Sequence, residues 1–207
     1  MTTLIMTREM LLADTAVWDD ARSNTIGAVT KIARSRDRWW AAGAGHMAVV
    51  QSFLDWFRGI SVAKTRGVWR NKNIPDVWPD ATELLLLSPH GDMFFFEGFR
   101  MVHIEAPYVT SGSGGSYAAG AMEAGRTPLE SMIIAAKLDA ATGGAIDVAV
   151  VGAAEKVRNE IYEQIRSTPA PSAGGNERPV QQGRGPLLGY GVNRLPASST
   201  IEAKVRS

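Results

Sequence analysis

Apolar runs of strand length and helix length come in blocks along residues 2–151, and that block order most constrains what this chain can fold into. Residues 2–6 and 10–16 read as two short strands around the polar turn Thr7, Arg8, Glu9, and further strand-like runs fall at 26–34 and 38–44. In 46–58, Met47, Val50, Phe53, Leu54 and Phe57 recur at helical spacing, and Gly59 is a natural stop. Residues 60–82, which hold Pro75 and Pro79, read mostly as loop. Strands at 84–87 and 93–96 then flank the turn residues 88–92, and another at about 101–110 leads into a glycine-rich stretch and a helix at 115–124. The next helix starts at Thr127, with Pro128 at the first helical position and Glu130 at the third, and is expected to run to Ala141. A buried strand at 146–151 follows. Strands, helix, strands, helices, strand: this order permits two packed antiparallel sheets with helices outside each, a four-layer α/β/β/α sandwich, without forcing it.

The remainder reads differently. Residues 154–166 form an amphipathic helix pattern, with Val157, Ile161 and Ile165 on one face. From 167 to 207 the chain turns to Pro, Gly, Ser and Gln, too poor in apolar residues to fold alone. The expected organisation is thus a domain over 1–153, a helix over 154–166, and a flexible tail or interaction arm over 167–207. Residues 185–190 are the tail's best docking point. The 207 residues suit one main domain, and a net charge of +1 gives no general pull toward nucleic acid or an anionic membrane. With no cysteine, disulfides, thiolate metal sites and cysteine nucleophiles are excluded. No apolar run approaches a membrane span, and Arg8 and Glu9 interrupt any signal-peptide layout, so a cytoplasmic location is expected.

The chemistry concentrates at the N-terminus. Removal of Met1 would give Thr2 a free α-amine beside its own hydroxyl, a base and a nucleophile on one residue. Later segments fall in an order that gives this meaning: Ala13-Asp14-Thr15, then Val29-Thr30-Lys31-Ile32, then Ala42-Gly43-Ala44-Gly45. Gly112-Ser113-Gly114-Gly115 opens a helix, and Asp139-Ala140-Ala141-Thr142-Gly143-Gly144 closes one. Together these resemble the proteasome β-subunit family, its bacterial HslV branch in particular, over roughly residues 2–151. The family pattern carries Ser where Thr142 stands, and its opening hairpin is longer.

The resemblance implies an Ntn-hydrolase (N-terminal-nucleophile) sandwich and a threonine-type endopeptidase. Thr2 would attack the peptide carbonyl and its α-amine would take the proton. Lys31, held by Asp14, would favour the neutral amine; Ser113, Asp139 and Thr142 would surround that amine, and the Gly45 N–H would receive the oxyanion. It also implies a hexameric or heptameric ring of this chain, stacked as a double ring, with a polypeptide substrate and a ring ATPase unfoldase as partner. A non-catalytic structural or assembly subunit is the alternative. Gly43 and Met47 suggest a roomy apolar pocket for the residue before the cleaved bond.

Other readings are weaker. The loop 112–115 fails the dinucleotide and P-loop patterns, so no nucleotide cofactor is expected. His46, His90 and His103 lack ligand spacing, so no metal is expected. The basic run 64–72 reads as a solvated loop or subunit contact, and no nucleic acid or membrane partner is called for.

Overall fold

The structure, a computed structural model, describes residues 2–18, 25–62, 82–97, 100–151 and 203–206. The expected helix 154–166, most of the tail and the basic run 64–72 lie outside the described residues. Strands β1 (Thr3–Thr7) and β2 (Met10–Asp14) form a hairpin, and β3 (Ala16–Trp18) with β4 (Thr25–Ala28) forms a small ribbon. Strands β5 (Ile32–Arg34) and β6 (Trp40–Ala44) lead into helix α1 (Met47–Arg58), and β7 (Glu83–Leu87), β8 (Met93–Glu97), β9 (Arg100–Ile104) and β10 (Tyr108–Gly112) follow. Helices α2 (Gly115–Glu123) and α3 (Pro128–Leu138), then β11 (Ile146–Val150) and β12 (Ala203–Arg206), complete the elements among the described residues.

Two five-stranded sheets result, ordered β10-β1-β2-β11-β12 and β5-β6-β7-β8-β9. Side-chain alternation along each strand sorts the core into three layers. Leu4, Met6, Leu11 and Ala13 of the first sheet meet Ile32, Trp40, Ala42, Leu85 and Leu87 of the second, which makes the sheet-on-sheet layer. The opposite face of the first sheet, with Ile5, Leu12, Ile146 and Val148, packs on Ala118, Leu129, Met132 and Ala135 of α2 and α3. The outer face of the second sheet, with Ala41, Leu84, Leu86 and Phe96, packs on Val50, Phe53, Leu54 and Phe57 of α1. The architecture is therefore α/β/β/α, as the block order permits.

Several boundaries differ from expectation. The run 101–110 is two strands in different sheets: the chain crosses at Glu105, Ala106 and Pro107, and β10 pairs with β1 while β9 pairs with β8. The run 26–34 also divides, into β4 and β5, so Lys31 lies immediately before a strand rather than on one. Within the first sheet β12 pairs in parallel with β11, so that sheet is antiparallel except at this added strand.

Helix α3 starts where the sequence indicates. The Thr127 hydroxyl accepts from the Glu130 N–H at 3.3 Å, and the Glu130 carboxylate accepts from the Thr127 N–H at 2.9 Å. Thr127→Ala is expected to cost about 1 kcal/mol, read as a lower urea midpoint with an unchanged slope. The helix ends at Leu138, not Ala141, because Asp139 leaves helical geometry as the C-cap and turns its carboxylate to tertiary partners.

Candidate active site

The site forms where β1 begins, β2 ends and the 139–145 loop folds back over them. Thr2 precedes β1, Asp14 closes β2 and Lys31 precedes β5; all three are buried, Lys31 completely. Thr3 opposes Gly112 across the β1/β10 ladder, which brings the start of the chain against the glycine-rich loop. Gly112 has φ +83, and a Cβ there would stand 1.9 Å from the Thr2 carbonyl oxygen and 3.4 Å from the Ala44 Cβ. Only glycine allows that approach. It also puts Thr2 beside the end of β6, so Gly45, next after Ala44, borders the same region at the entrance to α1.

Asp14 is the hub. Its Oδ1 accepts from the Thr3 N–H at 2.8 Å and from Lys31 Nζ at 3.1 Å, and its Oδ2 accepts from the Gly143 N–H at 3.2 Å. Lys31 Nζ also donates to the Ala16 carbonyl at 2.7 Å. One carboxylate thus ties the first strand, the lysine and the returning loop together. Two backbone bonds at 3.0 Å, Thr15 N–H to Ala145 O and Ala16 N–H to Gly143 O, pin that loop further. Burial pushes the Asp14 carboxyl above its ordinary range; the Lys31 charge and the amide donors pull the other way without cancelling it. Burial likewise lowers Lys31, opposed chiefly by the charge and hydrogen bond of Asp14 and least by the charge of Asp147.

A second cluster lies beside the first. Asp139 Oδ2 accepts from the Ser113 hydroxyl and from the Thr142 hydroxyl, each at 2.7 Å, and Oδ1 accepts from the Ala141 N–H at 3.1 Å. The Thr142 and Thr3 hydroxyl oxygens are 2.5 Å apart. Because Thr142 donates to Asp139, Thr3 donates to Thr142, giving a continuous chain from β1 to the carboxylate. Ser113 also reaches toward the Thr2 carbonyl, at 3.5 Å. Burial raises the Asp139 carboxyl, but donation from Ser113, Thr142 and the Ala141 amide outweighs it and holds the group below its usual value. Gly114 makes room for the cluster: a Cβ there would come 2.2 Å from the Thr3 hydroxyl and 2.6 Å from that of Thr142.

Asp14 and Lys31 are thus in direct contact, as are Asp139 with Ser113 and Thr142, and the Thr2 carbonyl adjoins Ser113, while Gly45 follows Ala44, whose Cβ faces Gly112. The short hairpin does not pull Asp14 away from Lys31, because β2 remains in register with β1 through Leu4 opposite Ala13. Two residues are additional. Thr3 joins both clusters, through its N–H and its hydroxyl; the repeated threonine was the only sequence signal for it. Asp147, 2% exposed on β11, is the other, and a charge within an otherwise apolar strand was its signal. Gly43 plays another part than expected. A Cβ there would meet Val50 at 2.8 Å and Leu84 at 2.9 Å, so its smallness serves the packing of α1 on the sheet and opens no pocket.

No protein-family model matches the chain, and no curated protein matches it in sequence. Solved structures do. BPH of Thiobacillus denitrificans superposes with a TM-score of 0.53 at 20% identity, over 73% of this chain and 97% of that one. The same protein in complex with epoxomicin gives 0.52 at 20% identity, over 72% and 97%. Eukaryotic HslV from Trypanosoma brucei gives 0.52 at 19% identity, over 72% and 98%. At these identities the likeness establishes the fold, which is that of the HslV/proteasome-like proteins. Among the described residues no helix is long and apolar enough to cross a membrane.

Proposed function

We propose that this chain is a threonine-type endopeptidase of the HslV/proteasome kind, with Thr2 as its nucleophile once Met1 is removed. The observation that carries the reading is Asp14 joining Lys31, the Thr3 amide and the Gly143 amide beside Thr2. Such an arrangement fixes a buried ammonium next to the place where the α-amine would stand. An α-amine has an ordinary pKa of about 7.7–8.0, and a neighbouring ammonium favours its neutral form.

In the proposed mechanism the Thr2 hydroxyl oxygen attacks the peptide carbonyl and its proton passes to the α-amine, directly or through water. The tetrahedral oxyanion accepts a hydrogen bond from the Gly45 N–H, a contribution of roughly 2.7–4 kcal/mol per donor. Collapse expels the amine half of the substrate, which takes the proton back, and leaves an ester on Thr2. Water, deprotonated by the same α-amine, then hydrolyses that ester. Ser113, Asp139 and Thr142 hold the amine in place and pass protons within their chain. Lys31 stays charged and takes no proton from substrate.

The reading extends to a ring of copies of this chain, hexameric or heptameric and stacked in pairs, enclosing the sites and fed by a ring ATPase. Its support is the fold likeness to HslV. The second reading is a shell subunit without catalysis. A chain that keeps Met1 has no α-amine at Thr2 and belongs to that reading.

Mass spectrometry after incubation with a peptide epoxyketone separates the two. That reagent closes a six-membered ring only on a residue with both a hydroxyl and a free α-amine. The expected result is one adduct on an N-terminal peptide beginning at Thr2. An unlabelled chain that begins at Met1 refutes the enzyme reading.

A further inference from the structure

We propose that Glu83 is a positioning residue for this site: its bond to Ser111 clasps the two sheets together beside the active end and holds the Gly45 N–H at a fixed distance from Thr2. This role rests on the function argued above for Thr2 and Gly45, whereas the bond itself is independent of that function.

Both partners face the layer between the sheets. On β7, Leu85 and Leu87 belong to that layer while Leu84 and Leu86 pack under α1, so position 83 continues the inner row. On β10, Val109 packs against the same layer, and Ser111 stands in register opposite Leu4 of β1. The Ser111 hydroxyl, on a residue 7% exposed, donates to Glu83 Oε2. A buried hydroxyl needs a partner, and a carboxylate is a strong acceptor. Apolar residues at both positions would simply have continued the two rows. Glu83 itself is exposed at the open rim of the sandwich, so its carboxylate keeps much of its hydration.

The strand orders give this bond its meaning. In the first sheet β1 lies between β10 and β2, and in the second β6 lies between β5 and β7. Lys31, just before β5, bridges to Asp14 at the end of β2. Glu83, at the start of β7, bridges to Ser111 near the end of β10. The two central strands, with Thr2 before β1 and Gly45 after β6, therefore have a polar bridge on each flank. The sheets close in at this level: a Cβ on Gly112 would stand 3.4 Å from the Ala44 Cβ, and Ala44 is the register partner of Glu83. Ser111 directly precedes Gly112, which abuts the Thr2 carbonyl, and Ala44 directly precedes Gly45. One hydrogen bond thus connects the strand end that seats the nucleophile with the strand end that carries the oxyanion donor. A misplacement of about 1 Å in such a geometry can cost on the order of 10²-fold in rate.

The test compares Glu83→Ala, Ser111→Ala and Glu83→Gln in the full chain. Each alanine variant breaks the clasp, whereas Gln keeps an acceptor oxygen for Ser111 and is expected to behave as the unaltered protein. Hydrolysis of a fluorogenic peptide is expected to lose about tenfold in kcat in either alanine variant, with KM within about twofold, because the displaced Gly45 N–H serves the transition state and not the bound peptide. A peptide aldehyde, whose adduct on Thr2 sets an oxyanion at the same donor, should lose affinity by the same factor. A purely structural loss lowers the fraction of competent protein, so it lowers kcat and leaves aldehyde affinity alone. The double alanine variant should lose no more than either single one. An unchanged kcat or aldehyde affinity in Glu83→Ala overturns the proposal, and so do losses that add in the double variant. A KM that rises alike in Glu83→Gln and Glu83→Ala would mean that the charge acts on the substrate, and overturns it too. If the unaltered protein neither hydrolyses peptide nor binds the aldehyde, the functional reading fails and the positioning role falls with it; an active protein indifferent to Glu83→Ala refutes the positioning role alone. Should Ser111→Ala fail to fold, Glu83→Ala, at an exposed position, gives the same discrimination.

Discussion

Thr2→Ala is expected to reduce peptide hydrolysis by a factor on the order of 10⁴ or more while the fold stays intact. The size of the effect follows from what the substitution removes. The attacking oxygen disappears, and with it the covalent route, whereas the α-amine, Lys31 and the Gly45 N–H remain. Under the proposed mechanism those groups position water poorly, because they serve a hydroxyl on the same residue as the amine. Thr2→Ser keeps nucleophile and base, so it should retain measurable turnover, reduced by the lost methyl that limits hydroxyl rotation. The fold should tolerate either change. Thr2 contributes its backbone carbonyl to the Gly112 contact and to Ser113, and neither depends on its side chain. Stability within about 1 kcal/mol of the unaltered chain, together with an unchanged molecular mass by light scattering, separates loss of chemistry from loss of structure. Turnover that persists in Thr2→Ala would mean that another residue attacks, and the proposed mechanism would be wrong.

How far the sequence discloses this site depends on whether each residue's partner is local. The α3 start is legible because Thr127, Pro128 and Glu130 act within one turn. Its end is not: Ala140 and Ala141 favour helix, and what stops it is the engagement of Asp139 with Ser113, far away in the chain. The division of 101–110 is hidden for a similar reason. Strand-forming residues continue on both sides, Pro107 is the one local sign, and nothing nearby says that β9 and β10 belong to different sheets. The parallel strand β12 depends wholly on pairing with β11. Gly43 shows how a residue type can mislead. A small residue beside a glycine strand end suggests an open pocket, but the space is filled by Val50 and Leu84 from separate elements. Asp14, Lys31, Ser113 and Asp139 could be named beforehand only because their order along the chain resembles a known pattern. No propensity distinguishes a buried lysine from a solvated one.

The burial of Lys31 makes Asp14 the position whose loss should cost the most stability. Asp14→Ala leaves a fully buried ammonium without its contacting carboxylate, and deprives the Thr3 and Gly143 amides of their acceptor. Breaking a buried pair from one side typically costs about 3–5 kcal/mol, which for a chain of this size lowers the melting temperature by roughly 10 °C. Removing the charge on both sides is less harmful, since two desolvation costs vanish together. Asp14→Ala with Lys31→Met should therefore recover a good part of the loss, a non-additivity that a double-mutant cycle measures. The pH dependence distinguishes this cause from a simple cavity. Burial already holds Lys31 below its ordinary value of 10.5 in the folded protein, and loss of Asp14 lowers it further. Between that depressed value and 10.5 the unfolded chain binds more protons than the folded one, so stability rises with pH across the window. The deficit of Asp14→Ala should accordingly be largest near neutrality and narrow as the pH approaches the ordinary lysine range. Chemical denaturation of both proteins at a series of pH values checks it. A deficit that stays constant with pH would mean that the lost amide contacts, rather than the stranded ammonium, account for the damage, and would remove the electrostatic role assigned to Asp14.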